Sequence, residues 1–152
     1  MSEPYLRKAV ERDIDILFYW ANDSITRENA FNTSGIEYTD HQKWFAEKLR
    51  SSDSILYIYC VNDRAIGQAR IDVDGDNGLV SYSIDSEHRY QGHGGRLLSL
   101  LESTAVLDLP HLKALVARVK KSNTISQRKF EQRMYVKNEK DDYYEYCKYK
   151  ES

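Results

Sequence analysis

Apolar and polar residues recur along this chain with two different periods, and the switches between them mark out the elements. Tyr5 to Val10 reads as a first strand, and Arg12 to Asn22 puts Ile14, Leu17, Phe18 and Ala21 on one helical face before Asn22-Asp23-Ser24 ends it. The polar stretch 25–36 is too irregular to predict an element. Thr39 predicts the N-cap of a helix running to about Leu49, with Trp44, Phe45, Lys48 and Leu49 on its inner side. Ile55 to Val61 and Ala65 to Val73, rich in β-branched residues, predict strands joined at Asn62-Asp63. A turn over 74–78 leads to a third strand, Leu79 to Ile84, completing an antiparallel meander. Leu97, Leu98, Leu101 and Ala105 then fall at helical spacing, and Pro110 breaks the pattern. Leu112 to Val119 predicts a strand, Asn123 to Arg133 a helix, and Met134 to Lys137 and Tyr143 to Lys150 two closing strands.

The order β-α-α-β-β-β-α-β-α-β-β predicts a mixed α+β (α/β) domain. Its central mixed sheet has six or seven strands, flanked on both faces by about four helices. The 152 residues suit one domain over 1–152, large enough to bury about two thirds of the unfolded surface. A net charge of −2 argues against a nucleic-acid partner. No apolar run approaches the ~18 residues of a membrane span and no signal-peptide core is seen, so a cytoplasmic protein without a membrane partner is expected. Cys60 and Cys147 read as free thiols, and no Cys/His cluster has zinc spacing, so no metal is expected.

The chemistry concentrates between the third strand and the following helix, in Arg89-Tyr90-Gln91-Gly92-His93-Gly94-Gly95. Three glycines in four positions allow positive φ and close approach of the backbone to a ligand. The helix opens without Ser, Thr, Asp or Asn as N-cap, so its first N–H groups and its dipole are available to an anion, most naturally phosphate. A dinucleotide fingerprint fails because Leu97 stands at its last glycine, and no Gly-Lys-Ser/Thr follows for a P-loop.

Arg89-x-x-Gly92-x-Gly94 resembles the Q/R-x-x-G-x-G/A signature of the GNAT N-acetyltransferase superfamily, whose element order also runs along nearly the whole chain. A second family pattern, N-x-x-A/S-x-x-x-Y-x-x-x-G-F, is met by Asn123 and Ser126. Phe130 stands at its tyrosine, Met134 at its glycine and Tyr135 at its phenylalanine.

The resemblance implies that acetyl-CoA is the co-substrate. Gln91, Gly92, His93, Gly94, Gly95 and Arg96 would hold its pyrophosphate, Arg89 and Arg96 would add charge, and Asn123 and Ser126 would approach the pantetheine arm from the far side. The arm would run along Leu79 to Ile84, with an oxyanion donor at an N–H near Ser83. Because Phe130 replaces the usual acid, Tyr82 and Tyr135 are the substitutes that would protonate the leaving thiolate. His41, Asp72, Asp85 and His88 are base candidates by residue type, with ordered water as the alternative.

Trp20, Asn22, Arg27, Phe31 and His41, with Ile36, Trp44 and Phe45, resemble the acceptor side of the branch that acetylates nucleotide-linked amino sugars, as in pseudaminic acid biosynthesis. They resemble less closely the branch acting on ribosomal protein N-termini. The implied activity is acetyl transfer to a small-molecule primary amine by a monomer or homodimer. A non-catalytic module that binds coenzyme A is the reading from another class.

Overall fold

Asn62 and Asp63 both take positive φ, 52° and 62°, the conformation that matches a two-residue turn to the twist of its flanking strands. They join β2 (Ser54–Val61) to β3 (Arg64–Asp74), and Gly75, φ 60°, begins the turn into β4 (Asn77–Ile84). The computed structural model describes residues 3–151. Before the meander come β1 (Tyr5–Lys8), α1 (Ile14–Ala21), α2 (Ser24–Asn29) and α3 (Tyr38–Arg50). After it come α4 (His93–Asp108), β5 (Ala114–Lys120), α5 (Thr124–Gln132), β6 (Val136–Glu139) and β7 (Tyr143–Tyr149). The seven strands form one sheet in the order β1-β2-β3-β4-β5-β7-β6. All neighbours are antiparallel except β4 and β5, which the α4 crossover makes parallel.

Each face of the sheet has its own core, because strand side chains alternate between faces. Leu97, Leu98 and Leu101 of α4 and Phe130 of α5 pack with Ala69, Ile71 and Val80 on one face. Leu17 and Trp20 of α1 and Phe45 of α3 pack with Leu56, Ile58 and Cys60 on the other. The two cysteines are free thiols.

The structure amends the sequence reading at three places. The stretch without a predicted element contains α2, whose N-cap Asp23 accepts a bond from the Thr26 N–H at 3.1 Å; six residues are too few to show a period. Glu37, not Thr39, occupies the N-cap of α3. The strand expected from Met134 starts at Val136, since Met134 has φ 68° and closes the end of α5, turning Tyr135 into the core.

Candidate functional site

β4 and β5 pair only from Asn77↔Ala114 to Leu79↔Val116 and then part. The Asp85 N–H donates to the Ile66 carbonyl at 2.8 Å. With Ser83 opposite Gln68 and Ser81 opposite Arg70, the odd-numbered residues of β4 are those that exchange bonds with β3. The N–H groups of Tyr82 and Ile84 therefore face the gap. Of the N–H groups at and beside Ser83, these two face the gap, because the Ser83 main chain belongs to the β3 ladder. Its hydroxyl accepts from Gln68 Nε2 at 3.0 Å.

A cleft of about 730 Å³ occupies this fork and extends to the glycine turn at one end and to α1, α2 and α3 on the other side of the sheet. At the turn, Gly92 (φ 84°) is the N-cap of α4 and no side chain caps the helix. A Cβ on Gly94 would stand 2.6 Å from Lys129 Cε, and one on Gly95 would meet the Arg133 guanidinium. These glycines let α5 lie against the first turn of α4, where Arg133 Nε donates to the Gly95 carbonyl at 3.0 Å. Lys129 lines the cleft; its carbonyl accepts from Arg133 Nη1 at 3.0 Å, and its ammonium has no hydrogen-bond or ion-pair partner among the described residues. Burial, and then the neighbouring Arg133, lower its ammonium pKa. The sequence reading missed both cations, although Ser126, Lys129 and Arg133 share one helical face.

Tyr82 lies where the fork meets α5. Its hydroxyl is 2.9 Å from Ser126 Oγ, and its ring meets Phe130 edge-on at 6.0 Å. Burial pushes the phenol up to about 12, against the smaller opposing influence of Ser126 and Arg133, so it stays protonated and able to donate at neutral pH. Asn123, the N-cap of α5, accepts the Ser126 N–H at 3.2 Å and lines the same wall. Ile84, Gly92, Gly94 and His93 line the cleft with them. The His93 Nδ1 is 3.0 Å from the Tyr59 hydroxyl; burial first, then Arg96 and His88, lower the imidazole.

Several expected residues serve the framework instead. Arg89 lines the cleft, and its pair with Asp23 at 2.5 Å and its reach to Thr26 Oγ1 tie the turn to the start of α2. Gln91 and Arg96 are exposed and, like Gly95, do not line the cleft. Tyr135 is 5% exposed and packs on Phe130 at 5.0 Å, outside the cleft, so its phenol has no access to a leaving group. Trp20 is core, and its Nε1 donates to Asp85 Oδ1 at 2.9 Å. Asn22 clips the main chain of Ile36 from both sides, at 3.0 Å and 2.7 Å. His41 is buried against Trp44 and Phe45 with Nε2 on the Ile14 carbonyl at 2.9 Å, and it is among the residues that line the cleft. Arg27 and Phe31 do line it.

Among the base candidates, Asp72 is held by Lys48, Ser54 and Arg70. Asp85 is held by Trp20 Nε1, the Glu87 N–H and His88 Nδ1 at 3.1 Å. That contact holds the His88 ring at the cleft and leaves Nε2 as the nitrogen without a hydrogen-bond partner among the described residues.

Among the described residues, Arg27, Arg70, Arg89, Arg118 and Lys129 line the cleft with one carboxylate, Asp40. Arg70, Arg89 and Arg118 are paired with Asp72, Asp23 and Glu145, which leaves Arg27 and Lys129 as the cations without a carboxylate partner. On the α2 side of the sheet Arg70 lies 5.3 Å from the Trp44 ring and donates to Ser81 Oγ at 3.3 Å.

No curated protein matches the chain in sequence. Solved structures do match over nearly its full length. The spermidine N-acetyltransferase of Vibrio cholerae, in complex with CoA and spermine, is similar with a TM-score of 0.88 at 12% identity, covering 98% of this chain and 96% of that one. A ribosomal L7/L12 α-N-protein acetyltransferase in complex with coenzyme A is similar at 0.83 and 11%, covering 98% and 95%. The aminoglycoside acetyltransferase AAC(6')-Ib with coenzyme A and kanamycin is similar at 0.80 and 17%, covering 97% and 95%. At these identities they establish the fold. Residues 16–134, which contain the fork, the glycine turn and the Tyr82–Ser126 contact, match the family of GNAT acetyltransferases. With that match extending over most of its length, the chain belongs to the acetyltransferase (GNAT) family.

Proposed function

We propose that this acetyltransferase moves the acetyl group of acetyl-CoA onto the primary amine of an anionic acceptor, an amino sugar linked to a nucleotide. The donor side fits the co-substrate. The uncapped first turn of α4, with Lys129 beside Gly94, suits a pyrophosphate. The Tyr82 and Ile84 N–H groups offer an extended amide arm the pairing that β5 withholds, and one of them would meet the negative charge that develops on the thioester oxygen.

Transfer forms the amide C–N bond as the C–S bond breaks. The Tyr82 hydroxyl, held by Ser126, gives its proton to the departing sulfur. The proton lost by the amine goes to His88 Nε2 or to solvent, because the carboxylates of Asp72 and Asp85 are already engaged.

The observation that carries the acceptor class is that two cations lining the cleft, Arg27 and Lys129, have no carboxylate partner among the described residues, against one lining carboxylate, Asp40. Polyamines and aminoglycosides are polycations and would be repelled there, whereas a sugar diphosphate is attracted. The test is a panel assay of thiol release from acetyl-CoA with a uridine-diphosphate-linked amino sugar, glucosamine 6-phosphate, spermidine, kanamycin and a peptide with a free N-terminus. The anionic amines are expected to give the highest kcat/KM. A preference for spermidine, kanamycin or the peptide would refute the acceptor reading, and thiol release with none of them would favour a module that only binds coenzyme A.

A further inference from the structure

The β5 wall of the cleft, with Tyr143 of β7 behind it, holds an arrangement that none of the steps above uses. Phe31 is 56% exposed although it lines a cleft, and its ring meets Tyr143 nearly edge-on, 5.6 Å between centroids. Arg118 lies 5.9 Å from the centroid of the same tyrosine, half-exposed, and reaches Glu145 only at 3.5 Å. The loop that carries Phe31 is pinned on both sides. Arg27 Nη1 donates to the carbonyls of Asn32 and Ser34, each at 3.1 Å, and Lys120 Nζ donates to the Glu28 carbonyl at 2.9 Å. Arg27 Nε is buried with no partner among the described residues. A phenylalanine held in place yet left mostly uncovered, next to a loosely paired arginine, is a surface prepared for a ring that carries negative charge.

We propose that the Phe31–Tyr143–Arg118 corner is a nucleobase subsite, with Arg118 and Arg27 facing the adjoining phosphates. This rests on the acceptor reading above and places the nucleotide end of that acceptor. Aromatic faces stack on any base, and a guanidinium fork matches phosphate oxygens better than a point charge does. Neither feature is called for by a polyamine, and a peptide N-terminus would want acidic side chains in their place.

The experiment is calorimetric titration of uridine diphosphate, and separately uridine, into the protein saturated with coenzyme A, so that the phosphate turn is already filled. Wild type is expected to bind uridine diphosphate. Phe31→Ala should weaken binding by about tenfold or more, and Phe31→Tyr, which keeps the ring, should stay within about threefold. Arg118→Gln should weaken uridine diphosphate and leave uridine unchanged. Coenzyme A affinity should be the same in all variants. No binding to the coenzyme-loaded protein, or equal affinity in Phe31→Ala, overturns the subsite. If glucosamine 6-phosphate is still acetylated in that case, the anionic-acceptor reading stands and only the corner is wrong. If only cationic amines are acetylated, both fail together.

Discussion

Replacing Tyr82 by Phe isolates the proton that the leaving sulfur needs. The phenyl ring keeps the edge-on contact with Phe130, and only the oxygen 2.9 Å from Ser126 Oγ is lost. The structural cost is therefore one hydrogen bond, about 1 kcal/mol, rising to about 3 kcal/mol if the buried Ser126 hydroxyl is left unpaired. For a domain of this size that lowers Tm by about 2–4 °C per kcal/mol.

A general acid contributes roughly 10²–10⁴ to the rate, about 3–5 kcal/mol of barrier. The catalytic loss should thus exceed the stability loss, with kcat down at least a hundredfold and coenzyme A affinity unchanged. Because burial holds the wild-type phenol at about 12, titration of Tyr82 should produce no alkaline loss of kcat below about pH 10. The assay is kcat by thiol release at saturating acetyl-CoA, beside coenzyme A binding by calorimetry. A Tyr82→Phe enzyme with kcat within about threefold of wild type would refute the assignment and leave protonation of the sulfur to solvent.

Other substitutions separate binding from framework. Gly94→Val should reduce coenzyme A affinity at least about tenfold while the fold survives, since the new Cβ meets the movable end of Lys129 rather than backbone; unchanged affinity by calorimetry would remove the turn from the site. Arg89→Ala should lower Tm and raise the acceptor KM more than the coenzyme A Kd, because the side chain anchors Asp23 and the start of α2; the reverse pattern would return Arg89 to the phosphates. Burial alone would raise the Asp23 carboxyl, but Arg89 and the Thr26 N–H outweigh it and hold the group below its usual range. Its contribution to stability is complete above about pH 4 and lost as pH falls through the lowered value, so Asp23→Asn should be less stable at pH 6 and show a shallower acid decline in Tm. Phe130→Tyr should cost about 1–3 kcal/mol by overpacking, since the ring is 1% exposed between Tyr82, Tyr135 and Tyr146. Urea titration checks the last.

The amino-acid order alone determined what depends on near neighbours. Helical spacing at Leu97, Leu98, Leu101 and Ala105, the turn residues of the meander, and glycine at 92, 94 and 95 each act over a few residues, and all were legible. α2 was not, because six residues capped by Asp23 leave no period to detect. Nor was the register: alternation showed two faces of β4, but the long-range pairing with Gln68 and Arg70 decided that the N–H groups of Tyr82 and Ile84, rather than of Ser83, face the gap. The same limit explains Trp20, Asn22 and Tyr135. An indole, an amide or a phenol has the same chemistry in a site as in a core contact. Only packing against Asp85, Ile36 and Phe130 placed these three outside the cleft lining. It likewise placed Lys129 at the glycine turn and Arg118 beside Tyr143, since cleft walls assemble from segments far apart in the chain.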